Sequence, residues 1–283
     1  MTVYPFVVHL GPLEITGYGL MLMVAFLMGG WLIARQLRES QLREDYAADI
    51  AAAAVIGGII GAKLWYVALT GDPGALFSRG GLVWYGGFIG GAVAVVLNGW
   101  RLKVPLRWTM QLVAPALAAA YALGRVGCFL VNDDYGRPTD LSWGMRFPHG
   151  LPPSTAGNLH QLFGVAVPAG VDPSTVLAVH PTQLYEVAAM LVAFAILWAL
   201  RKRGHPIGWL FGMYLVLAGL ERFLVEFVRA KDDRLLGAFT LAQLTSVIIL
   251  VWGIFLLLRW RRGADPAPGL YLETGRRAPA SKV

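Results

Sequence analysis

Residues 110–131 read MQLVAPALAAAYALGRVGCFLV, an apolar run broken near its end by Arg125. An α-helix rises about 1.5 Å per residue, so roughly 20 such residues cross about 30 Å of hydrocarbon. A cation inside that layer costs several kcal/mol (about 3 on insertion scales) unless it is paired or wetted, which makes Arg125 a functional candidate. A second run, residues 206–228, reads PIGWLFGMYLVLAGLERFLVEFV and holds Arg222 with Glu221 and Glu226 beside it. Two arginines kept at depth, with carboxylates near one of them, point to an anion such as a lipid phosphate.

Composition agrees with that reading. Of 283 residues, 57% are hydrophobic and 14% charged, too apolar for a soluble domain. The expected fold is an all-α integral membrane protein with seven transmembrane helices, over residues 18–34, 47–69, 81–97, 109–131, 184–200, 207–228 and 237–258. The net charge of +7 raises the question of nucleic acid, but its distribution argues against it. Arg35, Arg38, Arg43, Arg101, Lys103, Arg107, Arg201, Lys202 and Arg203 follow spans one, three and five, and six more basic residues lie after the last span. The positive-inside rule assigns that side to the cytoplasm, so the N-terminus lies outside and the C-terminus inside. The first basic residue, Arg35, follows the first apolar run, so a retained helix is expected rather than a cleaved signal.

The membrane body is expected over residues 1–262, without internal repeats. Gly57, Gly58 and Gly61, and Gly86, Gly87, Gly90 and Gly91, set small residues three to four apart, which lets helix backbones approach closely. Residues 132–180, rich in Pro, Gly, Asp and Ser, read as a small irregular insertion on the outer face. Residues 263–283 read as a disordered cytoplasmic tail. Cys128, the single cysteine, excludes an internal disulfide and a cysteine metal cluster, and fits a small buried position.

Three polar strings stand out. Arg222, Glu226 and Arg229 recur at i, i+4 and i+7, which puts them on one helix face where they can pair; Glu226 would orient Arg222, and Arg229 fits a salt-bridge ladder. His180, Thr182, Gln183, Tyr185 and Glu186 crowd the start of span five, behind Pro181, where a structural start needs only a cap. Asn132-Asp133-Asp134-Tyr135-Gly136-Arg137 follows the Arg125 segment. One adjacent acid pair is a weak metal signal, so no metal is expected; Asp133 or Asp134 can instead pair with Arg125 or accept a proton.

These strings resemble, in order, the signatures of the prolipoprotein diacylglyceryl transferase family. Gly124-Arg125, Gly127, Phe129, Asp133 and Gly136-Arg137 form one block, and residues 180–186 and 222–229 two more. Tyr18-Gly19 in span one, and Gly80-Gly81 with Tyr85-Gly86-Gly87 leading into span three, resemble two earlier blocks. The resemblance covers residues 18–258. It implies a bacterial plasma (inner) membrane enzyme of seven spans whose site faces the outer leaflet, with no cofactor. Its partners would be phosphatidylglycerol and the signal peptide of a prolipoprotein, whose lipobox cysteine thiol receives the diacylglyceryl group as a thioether while glycerol phosphate leaves. Arg125 and Arg222 match the family's essential arginines. Tyr18, Lys63, Tyr85, Gly86, Gly87, Gly136, Arg137, Gln183, Tyr185, Glu186 and Arg229 are the candidates for substrate binding.

The chain departs from the family at Tyr85, where histidine is common, and at Cys128, Ala218 and Lys63, where asparagine, tyrosine and arginine are expected. A phenol of pKa about 10 is a poor base at neutral pH, so the thiol-activating group stays open between His180 and Asp133. Two rival readings remain: a lipid or small-anion transporter using the same arginines, although transporters usually carry repeats, and a divergent transferase with another acceptor.

Overall fold

The computed structural model describes all residues except 12, 78–80, 82, 232–233, 237–238, 262–263 and 275–283. Nine α-helices occur among the described residues, with sheet limited to two short hairpins. Arg79, Gly80 and Gly237, and the tail residues Arg262, Arg276, Arg277 and Lys282, lie outside the described residues.

A hairpin of β1 (Val7–Leu10) and β2 (Leu13–Thr16) precedes α1 (Gly17–Glu39). Then come α2 (Tyr46–Thr70), a 3-10 turn (Pro73–Phe77), α3 (Trp84–Arg101) and α4 (Leu106–Val131). The short α5 (Ala156–Gln161) lies within the irregular segment, followed by α6 (Thr182–Leu200) and α7 (Trp209–Val225). A second hairpin, β3 (Arg234–Leu236) and β4 (Phe239–Thr240), leads into α8 (Leu241–Trp260), and α9 (Leu270–Glu273) comes last.

Five of these helices, α1, α2, α4, α6 and α8, are long and apolar enough to cross a bilayer. With the family reported below, they make this a multi-pass membrane protein. The apolar surface fits that solvent, since Ile248, Leu258 and Leu69 are largely exposed on the helices that carry them.

Boundaries differ from the sequence reading where polar backbone chemistry intervenes. The seventh stretch was expected to be helical from residue 237, yet α8 begins at Leu241, because Thr240 and Gln243 form a reciprocal capping box at that point. Residues 222–229 were expected on one continuous helix face, but α7 stops at Val225. There the chain turns to pair with residues 136 and 137: Gly136 and Arg229 form an antiparallel bridge, and Arg137 N–H donates to Val228 O at 2.8 Å. Tertiary hydrogen bonds take carbonyls that the helix would have used.

The chain divides into two units. One comprises Met1–Met28, Leu117–His205 and Trp209–Arg262. Its irregular segment is built around Tyr135, Phe147, Leu159, Val165, Val179 and Ala230, with Tyr135 and Phe147 stacked at 5.4 Å. Ser154 ties that core polar-side, accepting from Phe147 N–H and donating to Leu177 O, both at 3.1 Å. Within the same unit α7 and α8 meet through Gly212, Gly219 and Gly253; a Cβ at Gly253 would stand 2.7 Å from Gly212 O.

The other unit comprises Gly29–Ala116, Pro206–Gly208 and Gly263–Val283. Its centre is the α2–α3 pair, where the expected small-residue pattern brings backbones into contact. A Cβ on Gly61 would lie 2.3 Å from Gly86 O, and one on Gly90 would lie 2.4 Å from Gly57 O. Residues 264–274, within the stretch read as a tail, have specific partners in this unit. Leu272 is fully buried, Asp265 pairs with Arg107 at 3.2 Å, Trp108 Nε1 donates to Pro266 O at 2.9 Å, and the Tyr271 hydroxyl donates to Asp49.

Candidate active site

Three helix ends in the first unit bring the candidate residues together. Arg125 projects from α4, two turns before its end. Beyond Val131 the chain reverses through Asn132 (φ 62°) and Asp134 (φ 58°), left-handed conformations that asparagine and aspartate tolerate better than most residues. The reversal returns Asp134 toward the helix it has just left, and its Oδ2 meets Arg125 Nη1 at 2.7 Å. Thr182 Oγ1 donates to Asp134 O at 2.7 Å, and Gln183 Nε2 donates to Asp133 O, so the first turn of α6 holds this loop by its backbone.

Glu186, one turn further along α6, is the hub. Its side chain is 0% exposed; Oε2 lies 3.0 Å from Arg125 Nε, and Oε1 lies 3.7 Å from Arg229 Nη1 and 4.0 Å from Arg222 Nη1. Tyr121, one turn before Arg125 on α4, donates to Glu186 Oε1 at 3.5 Å and sets its ring 5.3 Å from the Arg125 guanidinium carbon. Glu226 holds Arg222 Nη2 at 2.7 Å and is itself fixed by Thr240 Oγ1 at 3.1 Å. Arg229 closes the network on Asp134 at 2.6 Å, and Arg137 Nε donates to the Arg229 carbonyl at 3.0 Å. Buried charges survive in such a place only when paired this densely. Two buried guanidinium nitrogens of the cluster make no hydrogen bond among the described residues: Arg222 Nη1, which has Glu186 Oε1 at 4.0 Å, and Arg229 Nε.

The structure therefore brings together Arg125, Arg222, Glu226, Arg229, Glu186 and, through backbone contacts, Asp133, Gln183, Gly136 and Arg137. Gly136 is needed for the close approach, since a Cβ there would stand 2.5 Å from Val228 O and 2.7 Å from His180 Cβ. Tyr18 packs at Gly127, whose added Cβ would be 3.2 Å from Tyr18 Cα. His180 and Tyr185 form a separate chain: Trp143 Nε1 donates to Tyr185 Oη at 2.8 Å, and Tyr185 Oη lies 3.2 Å from His180 Nδ1. Lys63, Tyr85, Gly86 and Gly87 belong to the second unit. There Lys63 Nζ donates to Ala75 O at 3.5 Å, Tyr85 is exposed and edge-on to Trp84, and Gly86 and Gly87 serve the α2–α3 contact.

The two acids after α4 differ in electrostatics. Burial and the neighbouring Asp134 charge push the Asp133 carboxyl up to about 6. The Asp134 side chain is 39% exposed, and the Arg229 and Arg125 guanidiniums outweigh the cost of its partial desolvation and hold its carboxyl below the usual range. Burial lowers the His180 imidazole, which favours its neutral form. Cys128 Sγ and one carboxylate oxygen each of Asp133 and Asp134 lie within 4.8 Å of one another, with Arg125 Nη1 3.7 Å from the sulfur. Guanidinium so near makes this a poor cation site.

The sequence offered Asp134 only as an alternative to Asp133 and Glu221 only as a neighbour of Arg222, and it did not point to Tyr121 or Thr240. Tyr121 carried a local signal, being four residues before Arg125. Thr240 carried none, because it lies 14 residues beyond Glu226 and meets it only in the folded chain.

Comparison with known proteins agrees with the geometry. Residues 5–259 match the family described as Prolipoprotein diacylglyceryl transferase. The phosphatidylglycerol–prolipoprotein diacylglyceryl transferase of Pseudomonas putida is 33% identical, covering 94% of this chain and 97% of its own. Those of Pseudomonas entomophila (34% identical; 89% and 92%) and Clostridium tetani (31%; 89% and 95%) are similar over nearly the same extent. With a family match across almost its whole length and relatives covered end to end, the chain belongs to the prolipoprotein diacylglyceryl transferase family.

Proposed function

We propose that this protein transfers the diacylglyceryl group of phosphatidylglycerol to the lipobox cysteine thiol of a prolipoprotein, forming a thioether and releasing glycerol phosphate. The observation that carries the reading is the buried arginine cluster, in which Arg222 Nη1 is a desolvated donor without a hydrogen bond. A phosphate oxygen is the natural acceptor for such a group. In the reaction the thiolate sulfur attacks the glycerol carbon that bears the phosphate, and the carbon–oxygen bond breaks with its electrons leaving on phosphate. Arg125 and Arg222 bind that phosphate, and Arg229 supports them through the carboxylates they share. Charge grows on the phosphate as the bond breaks, so donors fixed in advance in a dry site favour the transition state over the ground state.

For the thiol proton, the candidates are Asp133 and His180. Support is stronger for Asp133, which stands beside the arginine cluster and holds a carboxyl raised to about 6, a suitable base near neutral pH. His180, hydrogen-bonded with Tyr185 and Trp143, would then position the acceptor peptide at the site's mouth. Tyr18, Gly136, Arg137, Gln183, Tyr185 and Glu186 shape the substrate site; Lys63, Tyr85, Gly86 and Gly87 are kept as substrate-binding candidates on the family resemblance alone. The enzyme would reside in the bacterial inner membrane with seven spans, α3 and α7 joining the five longer helices. Its N-terminus and the segment 132–180 would face outward, and residues from 263 on would be cytoplasmic, in keeping with the basic residues after spans one, three and five.

The test is incubation of the purified full-length protein with phosphatidylglycerol labelled in its acyl chains and a lipobox peptide. A thioether-linked diacylglyceryl peptide, with glycerol phosphate released in equal amount, is expected. Lipid bound or moved without thioether formation would favour the transporter reading instead.

A further inference from the structure

The arginine cluster has a charge balance that leaves one acid unexplained. Arg125, Arg222 and Arg229 are matched by three carboxylates, Asp134, Glu186 and Glu226, at distances of 2.6 to 3.0 Å for the tightest contacts. Glu221 is an additional carboxyl on α7, next to Arg222 in sequence, only 7% exposed, and its buried Oε1 makes no hydrogen bond. It takes part in no ion pair among the described residues, although it lies within electrostatic reach of Glu186, Arg125, Arg222 and Arg229. The elements around it bring both signs: Glu186 from α6, Arg125 and Tyr121 from α4, Arg229 beyond the helix end, and Tyr214 two turns earlier on α7. With the guanidiniums already neutralised, an ionised Glu221 would be a buried charge with no ion-pair partner among the described residues, which is costly. A neutral carboxylic acid fits, because it offers a hydrogen-bond donor to an anion and adds no negative charge.

On the reading that the site transfers diacylglyceryl from a phospholipid, we propose that Glu221 is the general acid that gives its proton to the departing phosphate. The phosphodiester arrives with one negative charge and, once the carbon–oxygen bond breaks, would leave with two, beside three arginines that already carry three carboxylates. A proton delivered to the released oxygen keeps the count constant. The balance is complete: the sulfur–carbon bond forms, the carbon–oxygen bond breaks, the thiol proton passes to Asp133, the Glu221 proton passes to phosphate, and water carries the proton from Asp133 back to Glu221. Nothing is oxidised or reduced.

The experiment compares two donors under single-turnover conditions with the purified full-length enzyme in phosphatidylglycerol-free detergent micelles. One donor is phosphatidylglycerol; the other is diacylglyceryl p-nitrophenyl phosphate, whose phosphate leaves as a weaker base and needs a proton less. Glu221→Gln is expected to slow transfer from phosphatidylglycerol on the order of a hundredfold, with little change in the KM for that lipid and a much smaller loss with the nitrophenyl donor. Glu221→Asp, which keeps an acid at shorter reach, should restore part of the rate with phosphatidylglycerol. Equal losses with both donors would mark Glu221 as structural and overturn the acid role, as would full activity of Glu221→Gln. Should the glutamine variant not fold, the wild type still decides: it should use both donors at similar rates, and a strong preference for the nitrophenyl donor would also overturn the role. Absence of any thioether from phosphatidylglycerol in the wild type would instead refute the transfer reading itself.

Discussion

At Arg222 the guanidinium is held closely by Glu226, while its Nη1 has only the more distant Glu186 and no hydrogen bond, so its worth depends on what occupies that side. Arg222→Ala should leave the protein inserted and folded but reduce the rate of thioether formation by about a hundredfold or more, on the order of 3 kcal/mol of transition-state stabilisation. Arg222→Lys should rescue little, because a point charge cannot serve Glu226 and phosphate together. Near-normal turnover in either variant would remove Arg222 from the chemistry. Asp133 makes a second prediction at this scale. Its carboxyl is raised to about 6 by burial and by Asp134, and a base works only when ionised. The wild-type kcat/KM for the peptide should therefore hold above that value and fall about tenfold for each unit of acidification below it. Asp133→Asn should be slow at neutral pH and recover as the solution becomes alkaline and the peptide thiol ionises unaided. An unaltered profile in Asp133→Asn would shift the base role to His180. These carboxylates and arginines were legible in sequence as polar residues out of place, whereas the long-range hold of Thr240 on Glu226 was not, since no local pattern joins them.

At the scale of elements, the glycines of α2 and α3 were readable because the spacing that helix packing demands is itself a sequence pattern. Gly61→Val would place a branched side chain where a single Cβ already stands 2.3 Å from Gly86 O and 2.8 Å from Gly90 Cα. Overpacking of that kind costs about 1 to 3 kcal/mol, so the variant should lose its fold at lower temperature in detergent than the wild type. A melting temperature equal to the wild type's would mean that the helix pair has slack. Element ends were harder to read than element interiors. Hydropathy continues from α7 into the turn at residues 226–229, and only competition from the backbone of Gly136 and Arg137 stops the helix. The start of α8 was in principle legible, for Thr240 and Gln243 have capping-box spacing, but the apolar run extends past them toward the hairpin and concealed it.

For the whole molecule, the orientation proposed from the basic residues has a direct check. Single cysteines at exposed positions such as Leu141 or Leu162, in a Cys128→Ala background, should react with a membrane-impermeant maleimide in intact cells, and one at Ser40 only after lysis. The opposite pattern would invert the topology. Composition alone determined that this chain lives in lipid and where most of its long helices run, because bilayer thickness imposes a length and apolarity that any spanning segment must display. The order of its polar strings also sufficed for the family, since each block is local in sequence. Which carboxylate neutralises which arginine was decided only by the tertiary structure. Glu186 serves residues on both sides of it in sequence, Asp134 reaches Arg125 and Arg229 through a left-handed turn, and Glu221 is left without a partner. Pairing of buried charge depends on distances of a few ångströms between elements far apart in the chain, and spacing along a sequence does not encode them.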